Sequence, residues 1–181
     1  MSIVFVTGNQ FKFSEVSSLL DGPIWQKEID LPEIQAVNPQ DVIQAKLKSA
    51  YELLKTPVIV EDTSLGFDAL NGLPGALIKW FLERLGNEGL CRLVEQYESK
   101  AATAVTVIGY FDGTKPLFFT GAVTGIIVET PRGTTGFGWD PIFQPDKSIN
   151  TFAEMTNVEK SEYSMRKTAV LKLKAHLQKN S

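Results

Sequence analysis

The first third of the chain alternates short apolar runs with stretches in which apolar residues recur at helical spacing. The apolar runs are rich in β-branched and aromatic residues, which predicts buried strands. Asn38-Pro39 forms a typical helix start, with Asn38 as the cap and Pro39 at the first helical position. The resulting βαβαβ order predicts an α/β fold with a partly parallel sheet. The predicted strands are residues 3–6, 24–29 and 58–62, and the predicted helices are residues 12–20 and 39–55.

The middle of the chain changes from helical spacing to long β-type runs. Two helices are predicted over residues 76–85 and 88–97. Residues 101–111 and 117–129 then predict two strands, and Asp112-Gly113 between them is a strong hairpin signal. This pair predicts an antiparallel extension of the sheet.

The last part of the chain predicts one long helix over residues 159–178. Thr156 and Glu159 have the spacing of a capping box at its start. The chain contains no internal repeat and no flexible linker. We therefore expect a single domain over residues 1–181, with the antiparallel extension at about residues 101–130 inside it.

Composition narrows the class of protein. A net charge of −3 argues against a nucleic-acid polymer as partner, although one nucleotide remains compatible with it. The chain shows no signal-peptide pattern and no apolar run of about 20 residues, so we expect a soluble cytoplasmic protein without membrane contact. The single cysteine, Cys91, fits a reducing compartment and lies in an apolar helical pattern typical of a core residue. The single histidine, His176, is expected at the solvated surface.

The turn after the first predicted strand is a candidate phosphate site. Thr7-Gly8-Asn9 separates the strand from a helix, and free backbone N–H groups at a helix N-terminus attract anions. Lys12 lies where its ammonium group could join them. The competing interpretation is that many α/β proteins open in this way without binding phosphate.

Three carboxylates form a candidate metal site. Glu61 and Asp62 end a predicted strand, and Glu33 lies in a loop or edge segment after Pro32. Mg²⁺ prefers oxygen ligands and shares them with substrate phosphates, so one or two carboxylates are sufficient. Strand alternation predicts that Glu61 and Asp62 point to opposite faces and have different roles. The alternative is a solvated strand terminus.

An aromatic loop and several isolated lysines complete the candidate chemistry. Phe137-Gly138-Trp139-Asp140 could present an aromatic face to a planar base, or the loop could pack on the core. Walker A and dinucleotide-binding glycine patterns are absent. The isolated lysines are Lys46, Lys79 and Lys160. On pattern alone, each of them is typical of a solvated surface.

Taken together, these groups describe a nucleoside triphosphate site, and the chain resembles the inosine triphosphate pyrophosphatase family over nearly its whole length. The residues of its motifs are most similar to those of the eukaryotic-type enzymes. The motifs that carry the resemblance are Phe5-Val6-Thr7-Gly8-Asn9 with Lys12, Ile29-Asp30-Leu31-Pro32-Glu33, Val60-Glu61-Asp62-Thr63, Gly72-Leu73-Pro74-Gly75 with Ile78-Lys79-Trp80-Phe81, Phe137-Gly138-Trp139-Asp140-Pro141, and Phe152-Ala153-Glu154-Met155 with Glu159-Lys160.

The resemblance implies both a fold and an activity. It implies a homodimer of an elongated mixed α/β fold, with flanking helices and two lobes separated by a cleft. It also implies hydrolysis of ITP, dITP and XTP to the monophosphate and pyrophosphate, with Mg²⁺ as cofactor and Mn²⁺ as a possible substitute. The alternatives are a non-catalytic nucleotide sensor and a pyrophosphatase of another modified nucleotide.

The resemblance also implies roles for individual residues. Glu33 and Asp62 would serve the metal, and Asp62 or Glu61 would orient the attacking water. Phe137 would stack on the base, and Gly138, Trp139 and Asp140 would shape its pocket. The turn with Thr7, Gly8, Asn9 and Lys12 would hold the triphosphate, with Lys46 and Lys79 nearby, and Lys12 would also be catalytic. Lys160, Ser164 and Arg166 would close the site from the last helix. Thr63 and Met165 are further expected substrate-binding residues.

One position departs from the family pattern. The family usually has Ser-His-Arg in the last helix, whereas this chain has Ser164-Met165-Arg166. Met165 replaces a possible hydrogen-bonding group with an apolar thioether. Arg166 is retained, and its donors could pair with a 6-oxo purine but not with the 6-amino group of adenine. We therefore expect activity to be retained, with altered affinity or selectivity.

Overall fold

The computed structural model describes residues 2–179, and the chain divides into two compact units. Unit 1 contains residues 2–63, 106–121 and 165–179 of the described chain. Unit 2 contains residues 64–105 and 122–164. Each unit is therefore made of segments that are distant in sequence. Whether residues 1–181 act as a single domain stays a prediction.

Unit 1 begins as the sequence predicts, with alternating strands and helices. Strand β1 pairs in parallel with β2 on one side and with β3 on the other. Helix α1 packs against α5, and a buried apolar core that includes Phe5, Val16 and Ile59 lies beneath them. Its elements are β1 (Ile3–Val6), α1 (Gln10–Leu19), β2 (Ile24–Lys27), α2 (Pro39–Leu54), α5 (Met165–Lys179) and the first part of β3 (Val58–Phe67).

Unit 2 combines short strands, two helices and a second aromatic core. Trp139 packs edge-on against Phe143, with ring centroids 5.6 Å apart, and both rings contact Phe152. A short 3₁₀ turn at Asp68–Leu70 follows β3. The elements of this unit are β4 (Pro74–Gly75), α3 (Ile78–Glu95), β7 (Phe143–Pro145) and α4 (Asn157–Glu162).

The strands form one mixed sheet of seven strands. The order is β2-β1-β3-β5-β6-β7, and β4 pairs with β3. Strands β5 (Ala101–Phe111) and β6 (Leu117–Ile127) are neighbours joined by a short loop, as the hairpin signal predicts. The expectation of a mixed α/β fold with flanking helices is confirmed.

Several local predictions are also confirmed. The side-chain oxygen of Asn38 caps α2 by accepting the N–H of Gln40, and Pro39 is the first helical residue. Thr156 and Glu159 form the predicted capping box at the start of α4. Cys91 is buried, and burial raises the pKa of its thiol to about 11. Cys91 therefore has the environment of a core residue.

Other local predictions are wrong. Strand β3 continues to Phe67, so Glu61 and Asp62 lie inside the strand and not at its end. The last helix is interrupted between α4 and α5, around Ser164. His176 is half-buried instead of solvated, because its ring packs 5.6 Å from that of Phe119. Strand β2 is shorter than predicted, and the sequence did not predict β4 or β7.

None of the helices within residues 2–179 combines the length and the apolar character that crossing a membrane requires.

Candidate active site

The turn between β1 and α1 is fixed by its own side chains. The side-chain oxygen of Asn9 accepts the backbone N–H of Lys12 at 3.1 Å, which caps α1. The N–H of Asn9 donates to the Thr7 hydroxyl at 3.1 Å. A Cβ at Gly8 would lie 2.6 Å from a carboxylate oxygen of Glu28, so a larger residue at this position would displace that side chain. The predicted phosphate turn is therefore a defined structure at a helix N-terminus.

Glu61 is the centre of a buried ion-pair network. Its side chain is 1% exposed, and its Oε1 lies 3.0 Å from Nζ of Lys12. Arg166 binds the same carboxylate through two bonds, Nε to Oε2 at 2.6 Å and Nη2 to Oε1 at 3.2 Å. The hydroxyl of Thr63 donates to Oε1 at 3.1 Å. Both oxygens of Glu61 are therefore engaged.

The charges around Glu61 determine its ionisation. Burial by itself would raise the pKa of this carboxyl, but the charges of Lys12 and Arg166 outweigh burial and lower the pKa to about 2. The same pairing, together with Glu15, raises the pKa of Arg166 above its ordinary value although burial opposes this. Glu61 is thus ionised at neutral pH and holds two cations in place.

A second set of charges surrounds Asp62, the residue that follows Glu61 in β3. Lys46 pairs with Glu33, and its Nζ lies 3.8 Å from Oδ1 of Asp62. The other oxygen of Asp62, Oδ2, is buried without a hydrogen-bond partner among residues 2–179. Burial is the largest influence on Asp62 and raises the pKa of its carboxyl to about 6, although Lys46 opposes this. Glu61 and Asp62 therefore contact different partners, as strand alternation predicts.

The donor set fits a magnesium ion that keeps part of its water shell. Within the described chain there is no group of three or more His, Cys, Asp or Glu residues that could hold a metal by themselves. Glu33 and Asp62 share Lys46, and the unsatisfied Oδ2 of Asp62 is an acceptor that needs a cation or a donor. Two carboxylates with water and phosphate oxygens are a usual Mg²⁺ environment.

The ion pairs of unit 1 form two sets, one around Glu61 and one around Lys46, which adjoin where Asp62 follows Glu61 in β3. Their seven side chains together are called the charged cluster. Three of them are cationic and four are carboxylates, so the cluster carries a net negative charge when all are ionised. A strongly anionic triphosphate would therefore need an additional cation to bind there. The members of the charged cluster are Lys12, Glu15, Glu33, Lys46, Glu61, Asp62 and Arg166.

Unit 2 contains the aromatic loop, residues 136–140, which presents one ring and buries the other. The Phe137 side chain is 52% exposed, whereas Trp139 is 9% exposed and packs on the aromatic core. Oδ2 of Asp140 accepts the N–H of Phe137 at 2.8 Å and Nζ of Lys160 at 2.5 Å. The Lys160 ammonium also lies 5.4 Å from the centre of the Phe137 ring. Phe137 is therefore the exposed aromatic face, and Trp139 is a core residue.

The structure brings many of the predicted residues into the charged cluster or the aromatic loop. Thr63 and Lys160 bond to members of these groups, and Thr7, Gly8 and Asn9 form the turn before α1. Lys79, Ser164 and Met165 take part in none of the bonds described above. Lys79 is exposed on the first turn of α3, where its Nζ lies 5.4 Å from the Trp80 ring. Ser164 immediately precedes α5, and Met165 is the buried first residue of that helix. Thr7, Gly8, Asn9, Lys12, Glu33, Lys46, Glu61, Asp62, Thr63, Met165 and Arg166 belong to unit 1, and Lys79, Phe137, Gly138, Trp139, Asp140, Lys160 and Ser164 belong to unit 2.

Two residues that belong to these groups or bond to them were not identified from the sequence. Glu15 accepts Nη1 of Arg166 at 2.7 Å. Its position three residues after Lys12 on α1 places both on one helix face, which was an available signal. Asn87 donates from Nδ2 to the carbonyl of Gly138 at 3.0 Å. No local pattern links Asn87 to a loop so distant in sequence.

Comparisons with known proteins agree over nearly the full chain. The model of the Ham1 family matches residues 3–176. Inosine triphosphate pyrophosphatase of Schizosaccharomyces pombe is 45% identical over 181 residues, covering 98% of this chain and 95% of that protein. Inosine triphosphate pyrophosphatase 2 of Trypanosoma cruzi is 44% identical over 178 residues, covering 96% of this chain and 91% of that protein. The structure of a HAM1 protein from Coxiella burnetii matches with a TM-score of 0.88 and 26% identity, covering 99% of both chains.

Proposed function

Because the chain belongs to the Ham1 family, we propose that it hydrolyses the non-standard purine nucleoside triphosphates ITP, dITP and XTP to the monophosphate and pyrophosphate. The observation that carries this proposal is the environment of Asp62. A buried carboxylate with one unsatisfied oxygen and a raised pKa, beside Glu33 and Lys46, is suited to binding a metal ion and accepting a proton. The names of its relatives support inosine triphosphate as a substrate.

The reaction requires no covalent intermediate. Asp62 orients a water molecule and accepts its proton, while the water oxygen forms a bond to the α-phosphorus. The bond between the α-phosphorus and the α–β bridging oxygen breaks, and pyrophosphate leaves with the electron pair of that bond. Catalysis then consists mainly of positioning and electrostatic stabilisation.

Mg²⁺, held by Glu33 and Asp62, would neutralise charge on the phosphate oxygens as pyrophosphate departs, and Mn²⁺ could replace it. Lys12 and the N-terminus of α1 bind the triphosphate, and Lys46 contributes a further positive charge. Glu61 is not required as a base in this scheme, because its low pKa and its two cationic partners make it a weak proton acceptor. Glu61 instead keeps Lys12 in a fixed position.

Recognition of the base is assigned to Phe137 and Arg166. The half-exposed ring of Phe137 stacks on the purine, and Asp140 and Lys160 hold the loop that carries it. Arg166 uses three of its N–H groups for Glu61 and Glu15, so contact with the 6-oxo group of the base would use the two that remain. Such donors would disfavour the 6-amino group of adenine.

Product analysis tests this function. The purified protein is incubated with Mg²⁺ and ITP, with ATP, GTP and dUTP in parallel. The expected products are IMP and pyrophosphate, with the other nucleotides nearly unchanged. Binding of ITP without turnover would favour a non-catalytic sensor, and Met165→His would then test whether the apolar residue is responsible. Preferential cleavage of dUTP would favour a different nucleotide substrate.

We also infer that the protein works as a homodimer in the cytoplasm. The resemblance to the inosine triphosphate pyrophosphatases, which implies a homodimer, supports the dimer. The buried Cys91, which forms no disulfide, fits a reducing compartment that also contains the nucleotide pool. Light scattering after size exclusion measures the mass in solution, and a monomer at micromolar concentration would contradict the inference.

A further inference from the structure

Helix α3 contains a break whose backbone only glycine adopts readily. Gly86 has φ 65° and ψ 177°, a conformation found almost entirely at glycine. A Cβ at Gly86 would meet no atom within 4 Å, so the glycine is needed for its backbone angles and not for space. The break places Asn87 at the start of the second part of the helix.

The Asn87 side chain makes one hydrogen bond and leaves one polar atom unsatisfied. Its Nδ2 donates to the Gly138 carbonyl at 3.0 Å, and its Oδ1 is buried without a partner among residues 2–179. An unsatisfied buried oxygen opposes folding by at least as much as one hydrogen bond contributes. The Asn87 amide therefore contributes little to the overall stability of the fold, but it makes a specific contact with the aromatic loop.

That contact lies next to the exposed ring. The aromatic loop is held on one side by Asp140, whose Oδ2 accepts the N–H of Phe137 at 2.8 Å. On the other side, Asn87 holds the carbonyl of Gly138. The glycines on either side of Phe137 have positive φ, 79° at Gly136 and 64° at Gly138, so neither restricts the backbone by itself. The Asp140 N–H also donates to the Phe137 carbonyl at 3.2 Å. The direction of the Phe137 ring thus depends on these three hydrogen bonds, and Asn87 supplies the one that comes from outside the loop.

We propose that Asn87 is a positioning residue for substrate binding: it fixes the Gly138 carbonyl and thereby presents the Phe137 ring to the purine base. This inference rests on the proposed function, in which Phe137 stacks on the base. Asn87 does not touch the reacting atoms. Its loss raises the KM for ITP and leaves kcat nearly unchanged, because base stacking contributes equally to the ground state and the transition state.

The first test examines the loop without any substrate. Amide hydrogen exchange at Phe137 and Asp140 is measured in the wild-type protein and in Asn87→Ala, with Glu88→Ala as the control on the adjacent exposed position. Exchange in Asn87→Ala is expected to be roughly fivefold faster, the factor that corresponds to one net hydrogen bond. Asn87→Asp keeps the shape but places a carboxylate against the Gly138 carbonyl, so its effect is expected to be larger. Unchanged exchange in both variants overturns the inference.

The second test couples Asn87 to Phe137. Asn87→Ala is expected to raise the KM for ITP about fivefold in the wild-type background and by less than a factor of 2 in a Phe137→Ala background. An equal increase in both backgrounds indicates a general structural role and overturns the inference. If the wild-type protein leaves ITP intact, the proposed function fails, whereas the exchange measurement still decides whether Asn87 holds the loop.

Discussion

The charged cluster of unit 1 and the aromatic loop of unit 2 organise polar groups in different ways. The cluster places six of its seven charges on regular helices and strands, where rigid backbone holds buried carboxylates next to cations, and Glu33 alone lies in an irregular segment. The loop has irregular backbone, two glycines with positive φ and a single strong ion pair between Lys160 and Asp140. Reactive chemistry suits the cluster, because small errors in charge position are costly there, whereas a stacking ring tolerates an adjustable support.

Within the charged cluster, two carboxylates that are adjacent in sequence have pKa values displaced in opposite directions. Glu61 is neutralised by two cations, and the pKa of its carboxyl is low. Burial dominates at Asp62 and raises the pKa of its carboxyl. Neighbouring groups whose pKa values are displaced in opposite directions are typical of a division into structural and reactive roles.

The largest effect is expected from Asp62→Asn. The substitution keeps the shape of the side chain but removes the proton acceptor and one metal ligand, so kcat should fall by about 10²–10⁴-fold. Nucleotide binding, measured by calorimetry with Mg²⁺ present, should remain detectable. Unchanged turnover of ITP would contradict the catalytic role of Asp62.

Glu61→Gln is expected to lower the stability of the folded protein, because Glu61 has a structural and not a catalytic role in the proposed mechanism. Removing the negative charge leaves Lys12 and Arg166 without their shared buried partner, which should cost about 3–5 kcal/mol in the free energy of unfolding. Urea unfolding measures this loss. Glu15→Gln is the matched control, since Glu15 is 34% exposed and pairs with Arg166 at one oxygen. A loss no greater than that of the control would show that Glu61 is not the centre of the network.

In the metal-free protein, the pH dependence of the free energy of unfolding should show the ionisation of the same two carboxylates, Glu61 and Asp62. The Glu61 pKa is lowered from 4.5 to about 2, so its stabilising contribution is complete above pH 4.5 and is lost as the pH falls towards 2. The Asp62 pKa is raised from 3.8 to about 6, so the folded state gains stability as the pH falls from 6 to 4. Unfolding in EDTA should therefore show maximum stability at about pH 4 to 4.5, where the two ranges meet. Asp62→Asn should remove the gain in stability between pH 6 and 4, and Glu61→Gln should remove the loss of stability below pH 4.5.

The regular elements of the charged cluster could be predicted because local patterns specify them. Asn38-Pro39 begins α2, an unbroken apolar run identifies β1, and helical spacing identifies α1. The extension of β3 was missed because Thr63, Ser64 and Gly66 suit a turn as well as a strand, although Leu65 and Phe67 alternate as buried residues. The interruption before α5 contains neither glycine nor proline, so no breaker marked it.

The partners of the functional residues could not be predicted in the same way. Arg166 lies 105 positions from Glu61, and only the tertiary arrangement shows that the guanidinium is committed to that carboxylate. The resemblance pointed to the right family and to both groups of residues. It assigned stacking to Phe137, which is exposed, and a place in the base pocket to Trp139, but it did not show that the Trp139 ring is buried in the aromatic core.

The smallest of these effects is expected at the aromatic loop, where Phe137→Ala removes the exposed ring. Loss of stacking should weaken ITP binding by about 1–3 kcal/mol, or roughly 5- to 150-fold in Kd, with little change in thermal stability because the ring is half exposed. Calorimetry in the Asp62→Asn background measures Kd without consuming the nucleotide. Phe137→Tyr keeps an aromatic face and should bind nearly as well as Phe137. Trp139→Ala provides the contrast, since loss of a ring packed on Phe143 and Phe152 should lower the melting temperature first. If Phe137→Ala destabilises the fold as much as Trp139→Ala does, the division between a presented ring and a core ring is wrong.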